Sequence, residues 1–287
     1  MGWAYTSTED TSMTLVLGMY NEDSVTVVSD GLSRMFDPDT GIEQDPITDT
    51  QKVFKLNDGI VIGYSNSGVS YDFIRGLMGA IRITLQNEIN LQTVAEQISG
   101  IVQNWNLMFD ENPKAWYRIL IAGIDPAANE NRPDLWVVGK SGEYGQSIVN
   151  WTAIGDDKIA NPIYKRLTNN GRKLTSKEAL DIGAETLFET AQKSEWVGGI
   201  FSYYYVDKNG VKGPVELLSY NKDMSKKLFK ELIKRASTPV PAELDPQLHP
   251  ESYNGKRTRQ HRTVSTSVKQ RGKSRQSNAS TETKSPQ

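Results

Sequence analysis

The stretch TLVLGMYNEDSVTVVSDG, residues 14–31, decides how the fold begins. Its two apolar runs, residues 14–20 and 24–30, are short and rich in β-branched side chains, which favour strands. The polar tripeptide NED between the two runs is typical of a tight turn. The stretch therefore predicts a β-hairpin that opens on Thr14 and closes on Asp30.

A second hairpin is predicted downstream, after a loop rich in Asp, Pro and Gly. The runs KVFKL, residues 52–56, and IVIGYS, residues 60–65, have the composition of strands, and the turn sequence Asn-Asp-Gly joins them. Two amphipathic helices follow, because apolar residues recur with a 3.6-residue period through residues 73–85 and 91–105. Asn90 is the predicted N-cap of the second helix.

The remainder of the body mixes strands with helices. Strands are predicted at residues 116–124, 134–139, 148–154, 201–207 and 215–220, and helices at residues 159–167, 175–193 and 224–235. Thr175 and Glu178 have the spacing of a capping box, which marks the start of a helix. Antiparallel strands with helices grouped in pairs predict an α+β fold, a four-layer αββα sandwich of two antiparallel sheets flanked by helix pairs.

Composition divides the chain into three regions. Residues 1–13 are polar and are expected to be an N-terminal extension or propeptide, and residues 14–236 a single domain. Residues 237–287 are predicted to be a Pro-rich spacer and a disordered tail. The tail is basic: residues 251–287 hold nine of the 33 Lys and Arg but two of the 35 Asp and Glu, so the first 250 residues carry a net charge of −9. The tail is either a solvated segment or a contact for nucleic acid or an acidic partner.

Composition also excludes several kinds of chemistry. The chain has no cysteine, and its two histidines, His249 and His261, lie in the C-terminal region. The body therefore lacks the residues for a thiol nucleophile, a Ser-His-Asp triad or a Cys- or His-ligated metal, and we expect neither a metal nor a cofactor. The sequence shows no membrane-spanning run and no signal peptide, so a cytoplasmic protein is expected.

Hydroxyls, carboxylates, lysine and a terminal amine remain as candidate catalytic groups. Thr14 and Asp30 lie at the same end of one hairpin, where Lys52, at the start of the next strand, can join them. An N-terminal amine can accept the proton of its own side-chain hydroxyl, while a nearby ammonium lowers the proton affinity of the amine and a carboxylate holds that ammonium. This mechanism needs no histidine. The alternative interpretation is that the three are ordinary strand residues.

At these residues the sequence resembles the proteasome β-type subunits and the bacterial proteasome-like peptidase, which are N-terminal-nucleophile hydrolases. Residues 14–31 are similar to the opening of those subunits without a gap, and residues 50–72 are similar to their third and fourth strands. The resemblance implies the αββα fold of that family. It also implies a catalytic group in which Thr14 is the nucleophile, Asp30 and Lys52 support it, and the backbone N–H of Gly68 lines the oxyanion hole.

Three departures from the family pattern affect this interpretation. The family has a serine after the Ala-Ile-Gly of residues 153–155, where this chain has Asp156. It has an aspartate and a serine just before a Gly-Gly turn, where this chain has Ser194 and Val197. Those side chains support the threonine amine in the family, so this part of the site is expected to be altered. The family's Gly-Thr processing junction is also absent, because Met13 precedes Thr14.

The resemblance implies a threonine-type peptidase that works in a homo-oligomeric ring on peptide or protein substrates, with an ATP-dependent unfoldase as a partner. Two alternatives stay open: an inactive proteasome-like subunit with a structural or binding role, and a hydrolase of a small amide. Catalysis requires Thr14 to be the first residue of the mature chain. Either translation starts at Met13 and the methionine is removed, or residues 1–13 are removed by self-cleavage.

Overall fold

The computed structural model describes residues 14–34, 45–109, 116–125 and 132–236. The predicted N-terminal extension and the predicted spacer and tail lie outside these residues. The strands of the described part are β1 (Leu15–Tyr20), β2 (Val25–Ser29), β3 (Val53–Lys55), β4 (Ile60–Ser67), β5 (Trp116–Asp125), β6 (Arg132–Gly139), β7 (Tyr144–Gln146), β8 (Trp151–Gly155), β9 (Gly199–Asp207) and β10 (Gly210–Tyr220). The helices are α1 (Tyr71–Leu85), α2 (Leu91–Phe109), α3 (Asp157–Leu167), α4 (Ser176–Ala191) and α5 (Lys226–Ala236).

The strands form two antiparallel five-stranded sheets. The first sheet has the order β10-β9-β2-β1-β8, and the second has the order β3-β4-β5-β6-β7. In the first sheet, β1 pairs with β2 as the predicted hairpin, with Val16 opposite Ser29, and pairs on its other side with β8, with Leu15 opposite Gly155. The first strand is therefore central, and its start lies between the end of β2 and the end of β8.

Three apolar layers hold the sheets and helices together. Helices α3, α4 and α5 pack on the outer face of the first sheet, and α1 and α2 pack on the outer face of the second. A third cluster, which includes Val16, Val27, Val61 and Leu120, lies between the sheets. Each fully buried aliphatic side chain contributes about 1.5–3 kcal/mol. This arrangement is the four-layer αββα sandwich, and it confirms the predicted fold class.

The two predicted hairpins lie in different sheets that face each other. Strand β4 of the second sheet crosses close to β1 of the first, because Gly63 has no side chain. A Cβ at Gly63 would lie 2.9 Å from Val16 Cγ1 and 3.3 Å from Val53 Cγ2. The close approach brings the beginning of β3 and the middle of β4 against the beginning of β1.

Local helix signals were accurate. The side chain of Asn90 accepts a hydrogen bond from the backbone N–H of Thr93 (2.8 Å), as an N-cap does. Thr175 and Glu178 form the predicted capping box at the start of α4. None of the helices within the described ranges is long and apolar enough to cross a membrane.

The strand predictions around residues 139–154 differ from the structure in one boundary and one missed strand. The predicted strand 148–154 begins only at Trp151, and Ile148 is 93% exposed. The short strand β7 was not predicted, because its three residues follow a glycine-rich turn and have no apolar alternation. That turn closes the β6–β7 hairpin, in which Gly139 N–H donates to Glu143 O (2.8 Å).

Candidate functional site

The candidate site lies where the start of β1 meets the ends of β2 and β8. Thr14 directly precedes β1, Asp30 follows β2 and Asp156 follows β8. The β1–β8 register continues by one residue, since Asp156 N–H donates to Thr14 O (2.8 Å). Thr14 and Asp156 are therefore hydrogen-bonded neighbours at the point where β1 begins and β8 ends. Thr14 is buried, with 1% of its surface exposed.

Asp30 and Lys52 form a buried ion pair at this point. Lys52 Nζ lies 3.1 Å from Asp30 Oδ1, and the two side chains are 1% and 0% exposed. The same Asp30 oxygen accepts a hydrogen bond from the backbone N–H of Leu15 (2.9 Å). Both groups contact the same Asp30 oxygen. The Lys52 ammonium therefore lies close to the backbone nitrogen of Leu15, the residue after Thr14.

The hydrogen bonds of the pair join three separate segments. Asp30 Oδ2 accepts from the backbone N–H groups of Leu32 (3.2 Å) and Gly198 (3.1 Å). Lys52 Nζ also donates to the carbonyl oxygen of Leu32. A buried carboxylate with four donors is fully hydrogen-bonded, which is what keeps a charge inside a protein. Asp30 therefore fixes the position of the Lys52 ammonium beside Thr14.

Burial and the attraction between the two charges have opposite effects on the pKa values of Asp30 and Lys52. Burial raises the pKa of Asp30 and lowers the pKa of Lys52, because each loses the water that stabilises its charged form. The charge of the partner opposes both shifts, and the backbone N–H groups of Leu15 and Gly198 further favour the ionised Asp30. A buried charge pair of this kind is weak evidence for stability and is typical of functional sites.

Gly155 and Ser65 complete the surroundings of Thr14. Gly155 has φ +99°, and a Cβ there would lie 1.9 Å from Thr14 O and 2.8 Å from Ser65 Oγ. Only a glycine fits in this position against the backbone of Thr14. Ser65 is fully buried, and its hydroxyl has no hydrogen-bond partner within the described part of the chain. Ser65 thus adds a buried hydroxyl to the surroundings of Thr14 whose hydrogen-bonding capacity the described residues do not use.

A second carboxylate, Asp156, meets a hydroxyl at the same place. Ser194 Oγ donates to Asp156 Oδ2, and Ser194 Oγ accepts from the backbone N–H of Trp196 (3.2 Å). Burial raises the pKa of Asp156, the bond from Ser194 lowers it, and the charges of Asp157 and Asp30 raise it further. Two of the three positions that depart from the family pattern here, Asp156 and Ser194, thus contact each other.

Gly68 lies near the end of the same strand as Ser65. It follows β4 directly and has φ +67°, a left-handed conformation that glycine adopts without strain. Within the described residues, Gly68 makes no hydrogen bond with Thr14, Asp30 or Lys52. The structure therefore brings Thr14, Asp30 and Lys52 together, and places Gly68 three residues beyond Ser65, just after the end of β4 in the second sheet.

The edge of the site carries a stacked cation. The guanidinium of Arg34 lies 4.4 Å from the ring centre of Trp196 and 3.1 Å from Glu195 Oε2. Arg34 and Trp196 belong to the two segments that also bind Asp30. As for metals, the described ranges contain no group of three or more His, Cys, Asp or Glu side chains arranged to hold an ion.

Sequence reasoning missed two features of the site. The contact between Asp156 and Ser194 joins residues 38 positions apart, and no local pattern predicts it. Ser65 could have been found from the alternation of β4, since Val61, Gly63 and Ser65 all face the first sheet.

The fold is a proteasome-like αββα sandwich, with two antiparallel sheets between layers of helices. Among solved structures, the chain is similar to an Anbu (Gly-1) mutant from Hyphomicrobium sp. strain MC1, with a TM-score of 0.58 and 14% sequence identity. The alignment covers 77% of this chain and 92% of the Anbu chain. No protein-family model and no curated protein matches the sequence. At this identity the likeness shows the fold alone.

Proposed function

We propose that the chain is a proteasome-like hydrolase that cleaves the amide bonds of peptides with Thr14 as an N-terminal nucleophile. The observation that carries the proposal is the buried Asp30–Lys52 pair at the start of β1. Removing two charges from water costs several kcal/mol per ion, so such a pair is weak as a stabilising device. A fixed ammonium beside a threonine is, in contrast, what an N-terminal nucleophile needs.

The proposed reaction uses groups of this chain throughout. The neutral amine of Thr14 accepts the proton from Thr14 Oγ as the oxygen attacks the substrate carbonyl carbon. The amine then gives that proton to the leaving amine, and the peptide bond breaks to leave an ester on Thr14. Water, deprotonated by the same amine, hydrolyses the ester and restores the hydroxyl.

Two further groups have roles in this scheme. The Lys52 ammonium destabilises a second positive charge nearby, so it lowers the pKa of the Thr14 ammonium and keeps more of the amine neutral. Asp30 holds Lys52 in place. The backbone N–H of Gly68 is proposed as an oxyanion donor, which in other enzymes accounts for about 2.7–4 kcal/mol of transition-state stabilisation.

The scheme requires that residues 1–13 be absent from the active chain, because Thr14 has a free amine only as the first residue. We propose that residues 1–13 act as a propeptide, or that translation starts at Met13 and this methionine is removed. An inactive subunit with a structural or binding role is the competing function. It would leave Thr14 as an internal residue.

We also propose a homo-oligomer, consistent with the fold and with exposed apolar side chains on the α1–α2 layer. Ile83, Leu107 and Met108 are 76%, 83% and 66% exposed. Light scattering after size-exclusion chromatography tests this directly, and a monomer at micromolar concentration would contradict it. The unfoldase partner and a contact between the basic tail and nucleic acid or an acidic partner stay predictions from the sequence.

A threonine-directed electrophile, such as a peptide epoxyketone or β-lactone, tests the catalytic proposal. We expect one adduct per chain, mapped to Thr14, and none in Thr14→Ala. Thr14→Ser should keep the adduct at a reduced rate, since it keeps both the hydroxyl and the amine. Thr26→Ala, a buried threonine on the neighbouring strand, serves as the matched control and should label like the wild type. Absence of any adduct on a chain that begins at Thr14 would overturn the proposal.

A further inference from the structure

We propose that Asp156, oriented by Ser194, is the positioning residue that holds the amine of Thr14 and sets its charge. This inference rests on the proposed function, since it concerns the same nucleophile. It adds a residue that neither the fold nor the resemblance assigns, because the family pattern has a serine at this position.

The backbone of Asp156 lies against that of Thr14. Asp156 N–H donates to Thr14 O (2.8 Å), one residue beyond the last β1–β8 pair. The chain leaves the strand conformation at this point, since Gly155 has φ +99° and Asp156 has ψ 46°. The charge of Asp30, which binds the start of β1, acts on the Asp156 carboxylate and raises its pKa. A carboxylate is therefore carried by the residue whose backbone binds Thr14.

The Asp156 side chain is not used to start its own helix. Asp156 is the N-cap residue of α3, and aspartate is among the best N-caps because its carboxylate accepts from the first free N–H groups. Here the side chain makes no capping hydrogen bond. Its Oδ2 instead accepts from Ser194 Oγ. The carboxylate of Asp156 is therefore available to a group outside α3.

Ser194 fixes the orientation of this carboxylate. A hydroxyl has one hydrogen to donate, and Ser194 Oγ gives that hydrogen to Asp156 while it accepts from Trp196 N–H. The same segment binds Asp30 through Gly198 N–H, so Ser194 is tied to the core of the site. With Oδ2 held by Ser194, Oδ1 of Asp156 is the oxygen that can accept from an ammonium at Thr14.

Asp30 cannot take this role, although it also binds the backbone at the start of β1. Each of its two oxygens already accepts two hydrogen bonds, from Leu15 and Lys52 on one and from Leu32 and Gly198 on the other. A carboxylate has about four acceptor sites, so Asp30 is saturated. In this proposal Asp30 binds Lys52, and Asp156 binds the amine of Thr14.

Two of the departures from the family pattern form one exchange. The family has a hydroxyl after the Ala-Ile-Gly segment and a carboxylate before the Gly-Gly turn, and this chain has the carboxylate at Asp156 and the hydroxyl at Ser194. These two side chains bond to each other, so one carboxylate and one hydroxyl are in contact at the site. The replacement of the family's second hydroxyl by Val197 is not part of this exchange.

The pH dependence of electrophile labelling tests the role of Asp156 in the full mature chain. Asp156→Asn removes a negative charge and keeps an acceptor for Ser194. Without that charge the ammonium of Thr14 is less stable, so its pKa falls and the neutral amine appears at lower pH. We expect the midpoint of the rate profile to move down by about one pH unit. The plateau rate should fall about threefold to tenfold because the amine is a weaker base.

Other charges face this group and have to be separated from it. Asp30 and Lys52 lie on the β2 and β3 side, Asp157 and Lys158 follow on α3, and Arg118 of β5 pairs with Asp157 (3.2 Å). Asp157→Asn is the matched control, since it removes the same charge one residue away at a side chain that is paired with Arg118. Its midpoint should move by less than a third of the shift in Asp156→Asn.

The outcomes separate a failure of the proposed function from a failure of the role that we assign to Asp156. If the wild type is never labelled, the proposed function fails. If the wild type is labelled and the profile of a folded Asp156→Asn coincides with it, the function stands and the role of Asp156 is wrong. Should Asp156→Asn not fold, Ser194→Ala replaces it: that variant keeps the charge but loses its orientation, so the plateau should fall severalfold. An unchanged plateau would overturn the inference.

Discussion

Two regions of the molecule contain the same three structural features, but the features have different roles in each. One is the strand-end region, defined by Thr14, Asp30, Lys52, Gly155 and Asp156. The other is the α3–α4 connection, residues 168–178. Each region contains an ion pair, a glycine with positive φ and the N-cap of a helix.

The ion pairs differ in what surrounds them. In the α3–α4 connection, Arg172 Nη2 lies 2.7 Å from Glu178 Oε1, with side chains 46% and 39% exposed. Such a pair keeps most of its hydration and contributes little to stability. The Asp30–Lys52 pair is almost completely buried and needs four donors to stay charged. The exposed pair follows from helix capping, whereas the buried pair requires a reason beyond stability.

The glycines and caps show the same contrast. Gly171 has φ +86° with Trp151 Nε1 3.2 Å from the place of a Cβ, and Gly155 has φ +99° with a backbone oxygen at 1.9 Å. Thr175 caps α4 with its side chain, and Asp156 precedes α3 without capping it. In the α3–α4 connection the side chains stabilise the local backbone. In the strand-end region the Asp156 side chain accepts from Ser194 instead of from the first N–H groups of α3.

The largest expected effect comes from the same carboxylate-to-amide change in both pairs. Asp30→Asn should lower the free energy of unfolding by about 3–5 kcal/mol, because it leaves the Lys52 ammonium buried without its partner. It should also abolish labelling of Thr14. Glu178→Gln should unfold close to the wild type at neutral pH. Urea unfolding of the two variants checks this, and equal losses would remove the distinction between the pairs.

The two glycines allow the next comparison. Gly171→Ala should cost about 1–3 kcal/mol for its left-handed backbone. Gly155→Ala should cost about 2 kcal/mol more, because its Cβ also displaces the carbonyl of Thr14. Unfolding midpoints measure both, and electrophile labelling should be lost only in Gly155→Ala. If Gly155→Ala labelled normally, Thr14 would not need the observed position.

The helix caps should respond in opposite ways. Thr175→Ala should lower the free energy of unfolding by about 1 kcal/mol, since it removes a working cap, and should leave labelling unchanged. Asp156→Ala should change stability by less than about half as much and should slow labelling. Thermal unfolding and labelling rates of the two variants settle the matter. A full capping loss in Asp156→Ala would show that Asp156 has an ordinary helical role.

The smallest expected effect is on the stability of the folded chain at low pH. The hydrogen bond from Arg172, with those from Thr175, lowers the pKa of Glu178 from 4.5 to about 2. A depressed pKa in the folded chain means that the stabilisation is present above pH 4.5 and is lost as the pH falls towards 2. The urea midpoint of Glu178→Gln should therefore fall less between pH 5 and pH 3 than the midpoint of the wild type. Parallel losses in both chains would contradict this assignment.

The sequence predicts the parts of this molecule that depend on near neighbours. The β1–β2 hairpin, the Asn90 cap and the Thr175 capping box depend on residues close in the chain, and the structure contains all three. The hairpin alone brings Thr14 and Asp30 to one end. The contact of Asp156 with Ser194 could not be predicted, since it depends on how the end of β8 meets the segment before β9. Strand β7 was missed because it is held by pairing with β6 and has no pattern of its own.

The central claim is that Thr14 becomes the first residue of the chain. Intact-mass spectrometry measures this without any substrate, on protein purified from cells that express all 287 residues and from cells in which translation begins at Met13. We predict a species that begins at Thr14 in at least one of the two preparations. A chain that retains Met13 in both would contradict the account, because Thr14 would then have no free amine to act as a base.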